Sequence, residues 1–321
     1  MVLVILKMVN SKTPNLDIMN SFELGDIPTL DVCVLGALEL FMQKKIPRMK
    51  LPYKHPLVVG SGNAEATGRI LFHDTDSVFA SESDVKEKLK KIKTIDGVVL
   101  ISASGSKHAP KIAKIAKRYK KHITLISNTA HAPAEKYLDH KHSYDEYIFP
   151  RQREPYTYNT STYMGMILGK THENPWKIYN FIEKKISKLK LPNFKKYDKF
   201  YILVPAKFSR ITRMLQIKFI ELFGRTVARD IETIEYVKHA TTIVPSNELF
   251  ISFGDKNVYY GKNQLHVPLP KNADYATMMA VSYFIVGKIQ GMKEPYFKKN
   301  IVKYCREASK IFGTKIEVIV E

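Results

Sequence analysis

Cysteine is nearly absent from this 321-residue chain, which carries only Cys33 and Cys305. Two thiols cannot build a disulfide framework or, by themselves, a zinc site, so a reducing cytoplasm is the expected setting. No apolar run approaches the roughly 18–20 residues that a membrane-crossing helix needs, so the chain is not expected to cross a bilayer. The opening MVLVILKMV is apolar but lacks a basic lead-in and a small-residue cleavage site; it reads as a buried strand or a loose start, not a secretion signal. Acidic residues are also scarce: 51 Lys+Arg against 31 Asp+Glu leave a net charge of +20. Such an excess attracts polyanions. The lysines, however, are scattered through 86–93, 111–121 and 184–196 at spacings that suit solvated helix faces. No helix-turn-helix, zinc-finger or aromatic RNA-binding motif accompanies them. The order of readings is therefore a lysine-rich surface, then attraction of anionic small molecules, then nucleic acid.

What is present is a packed, mixed α/β chain. A hydrophobic content of 45% excludes disorder, and the length leaves room for two domains. Short apolar runs at 57–60 (LVVG), 97–102 (GVVLIS), 122–127 (HITLIS) and 147–150 (YIFP) alternate with amphipathic stretches, the pattern of β-α-β units. Ile112, Ile115 and Ala116 repeat at helical spacing between two of these runs, and 160–168 reads as a buried helix. One doubly wound parallel sheet of about five strands is expected. A helix over 176–188, bounded by Pro175 and Pro192, then suits a connecting segment. The alternation restarts with strands at 199–205, 226–229, 248–253 and 264–270 and helices over 210–223 and 275–288. The expected organisation is an N-terminal extension with a helix over 32–44 (1–45), a first unit (46–172), a linker helix (173–197) and a second unit (198–321). The two units resemble a tandem duplication of one architecture.

The most informative stretch runs from Leu100 to Lys107. An apolar strand ends, three serines and a glycine follow, and Pro110 stands where a first helical turn would begin. At the carboxyl end of a parallel strand, the free N–H groups of the next helix carry the positive end of its dipole. Gly105 allows close backbone approach, and the hydroxyls of Ser102, Ser104 and Ser106 can each donate to phosphate oxygens. A serine-rich helix cap is the plainer alternative. A second turn, Gly60-Ser-Gly62-Asn63 continuing to Gly68, also leaves a strand for a helix. Its glycine spacing is too long for a dinucleotide fingerprint, and it lacks the Gly-Lys-Ser/Thr of a P-loop.

Taken together these turns resemble the sugar isomerase (SIS) domain proteins, specifically the tandem group that includes the isomerase half of glucosamine-6-phosphate synthase, SIS-type deaminases and phosphoglucose/phosphomannose isomerases. The pieces stand in the family's order: GSGNAEATG (60–68), ASE (80–82), the SASGS phosphate loop (102–106), and Glu154 with Asn159-Thr160-Ser161. In the second half, 218–221 (KFIE) is similar to the helix carrying a catalytic glutamate, and Lys238-His239 to the catalytic histidine. Pro295 with 300–303 (NIVK) resembles the tail motif. The pattern departs from the family at Lys107, where threonine is common, and after His239, where Ala240-Thr241 replace Gly-Pro. The resemblance implies two doubly wound SIS domains in tandem. It implies Glu221, His239, Lys303 and Lys218 as catalytic residues, and Ser102, Ser104, Gly105, Ser106, Gly62 and Asn63 around the phosphate. Glu154, Asn159 and Thr160 would contact substrate, and a homodimer would complete the site with the histidine of one chain reaching the other.

Aldose–ketose isomerisation needs ring opening, proton transfer between C1 and C2, and stabilisation of an enediolate oxygen. A carboxylate such as Glu221, its pKa raised in a closed pocket, suits the proton transfer. His239 suits ring opening, and Lys303 or Lys218 charge stabilisation. No cofactor is required and no metal is expected: the irregular spacing of His131, His140 and His142 makes them turn residues. The expected function is a hexose or amino-hexose 6-phosphate isomerase. Alternatives are a glucosamine-6-phosphate deaminase or synthase-like isomerase without an amidotransferase half, and a phosphosugar-binding protein without turnover.

Overall fold

The structure, a computed structural model, describes residues 13–240, 242, 244–293 and 296–321. The apolar opening stretch and Pro295 of the tail motif lie outside the described residues. After helices α1 (Pro14–Ser21) and α2 (Leu30–Gln43), five short apolar runs form strands β1 (Pro56–Val59), β2 (Val78–Ala80), β3 (Gly97–Ile101), β4 (His122–Ser127) and β5 (Glu146–Ile148). They pair in parallel in the order β2-β1-β3-β4-β5. Helices α3 (Asn63–Leu71), α4 (Val85–Lys91) and α5 (Ala109–Arg118) connect the first four. β1 and β3 are buried along their whole length, which is why they read as continuous apolar runs rather than alternating ones. In α5 the buried positions are Ala109, Ile112, Ala113 and Ala116, while Lys111, Lys114 and Lys117 face solvent.

A two-residue strand β6 (Glu154–Pro155) precedes α6 (Thr160–Thr171), and α7 (Pro175–Phe181) runs into a wider π turn over Ile182–Ile186. The single helix expected over 176–188 is thus two segments. Strand β7 (Lys199–Val204) is followed by α8 (Thr212–Phe223), β8 (Ala228–Thr233), α9 (Ile234–Ala240), β9 (Glu248–Phe253), β10 (Asn263–Val267) and α10 (Tyr275–Met292). β8 begins two residues later than expected, because Thr226 closes a turn onto the Phe223 carbonyl through both its N–H and its hydroxyl. The second sheet is parallel, in the order β10-β9-β7-β8. Counted from its own first strand this repeats the 2-1-3-4 order of the first sheet, without a fifth strand. The tail forms α11 (Tyr296–Phe312) and β11 (Ile319–Val320), which pairs antiparallel with β6.

Helices α2, α6 and α10 are buried on nearly all sides and lie in one core cluster with side chains from both sheets, among them Val99 and Ile101 of β3 and Ile202 and Ile251 of the second sheet. Each fully buried Leu, Ile or Phe in such a core contributes on the order of 1.5–3 kcal/mol. The two sheets therefore share a core and hold the ends of β1, β3 and α8 in fixed relation. Glutamates start the two central helices. Glu154 accepts from the Thr160 backbone N–H at 2.9 Å, and Glu173 accepts from the backbone N–H groups of Asp274 and Ala276 at 2.9 and 2.8 Å. Among the described residues no helix is long and apolar enough to cross a membrane.

Candidate functional site

At the carboxyl end of β3 the chain turns sharply through Gly105 at φ +55 and Lys107 at φ +52 before α5 begins. A side chain at Gly105 would collide with the Ala132 methyl at 2.4 Å, so the turn needs glycine for space as well as conformation. The Ser102 hydroxyl accepts from the Gly105 N–H at 3.1 Å, and the Ser104 and Ser106 hydroxyls share a 2.7 Å hydrogen bond. The cup is thus held together by weak neutral bonds that a phosphate oxygen could replace one for one. Ser102, Ser104 and Ser106 are half-buried, so their hydroxyls remain within reach of a ligand. The neighbouring turn has Gly62 at φ +58, directly before Asn63 opens α3.

The second element of the site comes from α8. Lys218 and Glu221, three residues apart, lie on one face of the helix and pair at 2.8 Å. Lys218 is fully buried, and its ammonium also donates to the backbone carbonyls of Thr157 and Tyr158 at 2.6 and 2.5 Å. Its three donors are thereby all used. The other oxygen of Glu221 accepts from the Asn63 side-chain amide at 3.2 Å, joining the second half of the chain to the first glycine turn. Asn63 is itself buried, and its own Oδ1 has no hydrogen-bond partner among the described residues. Burial pushes the Glu221 carboxyl above its usual range, against the opposing pull of the Lys218 charge and the Lys218 and Asn63 hydrogen bonds. Its side chain is still 18% exposed, which leaves one side open to a ligand.

Four tyrosines feel the charge of Glu221. Tyr156, Tyr163, Tyr283 and Tyr304 are all shifted upward, mainly by burial and in part by this carboxylate, Tyr156 to about 12. The rings of Tyr156 and Tyr304 lie 6.5 Å apart, and the Lys107 ammonium sits 5.6 Å from the centre of Tyr156. The serine cup and Glu221 are therefore linked through Lys107 and Tyr156. None of these tyrosines was singled out in the sequence; the only available signal was the position of Tyr304 beside Lys303.

The remaining candidates are dispersed. Glu154 is buried with both oxygens engaged at the start of α6, by the Ser161 and Thr162 hydroxyls as well as the Thr160 N–H, and it also accepts from the Cys33 thiol at 3.2 Å. Asn159 stands at φ +48 as the residue before α6 and donates to the Tyr156 carbonyl, and Thr160 is buried. Both serve the backbone that also receives Lys218. His239 is exposed near the end of α9, and among the described residues it makes no hydrogen bond or ion pair with Glu221. Lys303 faces solvent on α11 near Glu307, whereas the adjacent Tyr304 approaches Tyr156. His131 and His140 both meet Glu135, its carboxylate at 3.8 Å and its backbone carbonyl, whereas His142 stacks on Tyr144. No group of three or more His, Cys, Asp or Glu that could hold a metal occurs among the described residues.

No protein-family profile matches the chain, and no curated protein does. Solved structures match along most of its length. One is a protein of Clostridium difficile 630 assigned as a phosphosugar isomerase, with a TM-score of 0.57 at 14% identity over 86% of this chain and 98% of that one. The fold is the tandem SIS fold. It is similar also to the glucosamine-6-phosphate deaminase of Thermotoga maritima, with a TM-score of 0.55 at 14% identity over 83% of this chain and 91% of that one. The C-terminal domain of the glucosamine-fructose-6-phosphate aminotransferase of Francisella tularensis matches with a TM-score of 0.53 at 11% identity, over 88% and 98% of the two chains. The two doubly wound parallel sheets agree with this SIS architecture.

Proposed function

We propose that this protein is a cofactor-free aldose–ketose isomerase acting on a hexose or amino-hexose 6-phosphate. The observation that carries the reading is the meeting of Glu221 with Asn63: a desolvated, partly open carboxylate held by the turn beside a serine-rich cup. The phosphate binds at Ser102, Ser104 and Ser106, with the dipole of α5 behind it. Glu221 takes the proton from one of the two carbons of the enediolate and returns it to the other. Burial raises its pKa, which makes it a better proton acceptor than an exposed glutamate and suits it to giving the proton back. Lys218, saturated by two carbonyls and Glu221, is a positioning residue that holds the carboxylate rather than a group that reaches the sugar.

Ring opening is assigned to His239 of a second copy, as among the described residues His239 makes no hydrogen bond or ion pair with Glu221. A homodimer is supported by the exposure of Tyr236, 55% accessible on the same short helix, and of Tyr259, 80% accessible in the loop after β9. Two buried free cysteines suit a cytoplasmic location.

The decisive experiment is exchange of the C2 proton with solvent deuterium, followed by NMR over fructose-, glucose-, mannose- and glucosamine-6-phosphates. Exchange on at least one sugar, lost in Glu221→Gln, is expected. Ammonia release from the amino sugar would turn the assignment to a deaminase, and binding without exchange on any sugar would reduce it to a binding protein.

A further inference from the structure

Around the serine cup stand three residues that can carry positive charge, and the chain treats them differently. His108 and Lys111 both pair with Glu82: His108 through Nδ1, and Lys111 at 2.9 Å. Lys107, beside His108, has no such partner. Among the described residues its ammonium makes no hydrogen bond and no ion pair. It lies instead between two aromatic faces, 4.9 Å from the centre of Phe312 and 5.6 Å from that of Tyr156. Its backbone is left-handed at φ +52, a conformation that costs a side-chain-bearing residue and that glycine or asparagine would adopt more easily. A lysine kept in a strained turn, stacked on two rings and left without a counter-charge, has three donors free for a ligand.

We propose that Lys107 is the charge-neutralising group of the cup, a binding residue that makes an otherwise neutral set of hydroxyl and backbone donors selective for a dianionic phosphate. The inference rests on the phosphosugar reading and deepens it. Tyr156 and Phe312 flank the ammonium next to the cup, and in the proposed site it lies against the phosphate. Partial burial without an offsetting acid lowers the ordinary lysine pKa, and a bound dianion reverses that shift by supplying the missing charge.

The test measures inorganic phosphate binding to the full-length protein by calorimetry at two salt concentrations, in the parent and in Lys107→Met, Lys107→Arg and Lys107→Gly, with thermal unfolding recorded for each. The expected result is about a tenfold or greater loss of phosphate affinity in the Met and Gly variants, with a shallower salt dependence, and near-parental affinity in Arg. Lys107→Gly relieves the left-handed strain, so it is expected to unfold no earlier than the parent while still losing affinity. With a phosphosugar the Met variant is expected to raise KM and leave kcat within about threefold, as for a contact made equally in ground and transition states. Parental phosphate affinity in both Met and Gly overturns the role of Lys107 and leaves the isomerase reading standing. If the parent binds no phosphate and catalyses no C2 exchange, that reading fails and this inference with it.

Discussion

The two halves repeat one strand order but end their third strands differently. After β3 the chain runs Ser102-Ala-Ser-Gly-Ser-Lys107 into α5; from the end of β9, its topological counterpart, Ser252-Phe-Gly-Asp-Lys-Asn257 continues to β10 without a helix. The loops share a left-handed glycine, Gly105 at φ +55 and Gly254 at φ +68, and a serine hydroxyl that accepts a backbone N–H within the turn. The second loop places the acid Asp255 after its glycine and has no helix dipole behind it. The two turns thus share their backbone geometry and differ in the hydroxyls and the helix start, the features on which the proposed anion site rests. In the proposed site the halves also divide the work. The first supplies the cup and Asn63, and the second supplies Glu221 and Lys218 on α8, the counterpart of α3.

Four tests would break or sharpen this division, from the largest effect to the smallest. Glu221→Gln is expected to lower C2-proton exchange by at least about a thousandfold while inorganic phosphate binding stays at the parental level, as suits loss of the carboxylate proposed to carry the proton between the two carbons. A simultaneous loss of phosphate binding would show that the two halves do not divide the work. Ser102→Ala with Ser104→Ala is expected to weaken phosphate binding by about 10–100-fold, two neutral donors at roughly 0.5–1.5 kcal/mol each. Calorimetry checks it, and Asp255→Ala in the other half is expected to change nothing in the same measurement.

The glycine pair is the sharpest comparison. Gly105→Ala and Gly254→Ala should each destabilise the fold by about 1–2 kcal/mol through their left-handed backbone. Gly105→Ala should be the more severe, because its methyl meets Ala132 at 2.4 Å, whereas at Gly254 the nearest atom is 3.2 Å away. Only the Gly105 change should also impair phosphate binding, and equal impairment by both would erase the distinction. The smallest effect concerns pH. Glu221 acts ionised and its pKa is raised, so the acid limb of kcat/KM should lie above the ordinary glutamate value of about 4.3. The Asn63 amide favours the ionised form; Asn63→Ala should therefore move that limb to still higher pH, and a shift to lower pH would contradict the hydrogen bond. The same sign applies to stability: this carboxyl favours the folded state most at low pH and loses that contribution as pH rises through its folded-state pKa.

The fold was legible because its strands are strong local signals. HITLIS and ELFISF coincide with β4 and β9, and GVVLIS differs from β3 by one residue. Two-residue strands such as β6 and β11 carry no periodicity and exist only because the tail returns to pair there. The cup could be read from composition, since serine and glycine after an apolar run have few other uses. Glu221 could be singled out only by resemblance, because an acid on an amphipathic helix is usually solvated. Its neighbours Tyr156 and Tyr304 come from distant segments, and no local pattern brings them together. Lys107 was visible only as a departure from the family pattern; its lack of a counter-ion becomes apparent once Glu82 is seen to take both of its neighbours.

In the proposed mechanism Lys218 ties activity to the integrity of the whole molecule. Its ammonium belongs to one half and clasps two main-chain oxygens of the other, so the carboxylate it steadies cannot take up its working position until both halves have docked. Neither half alone would retain turnover, and in a denaturant titration the loss of catalysis should coincide with the cooperative melting of the entire chain rather than precede it.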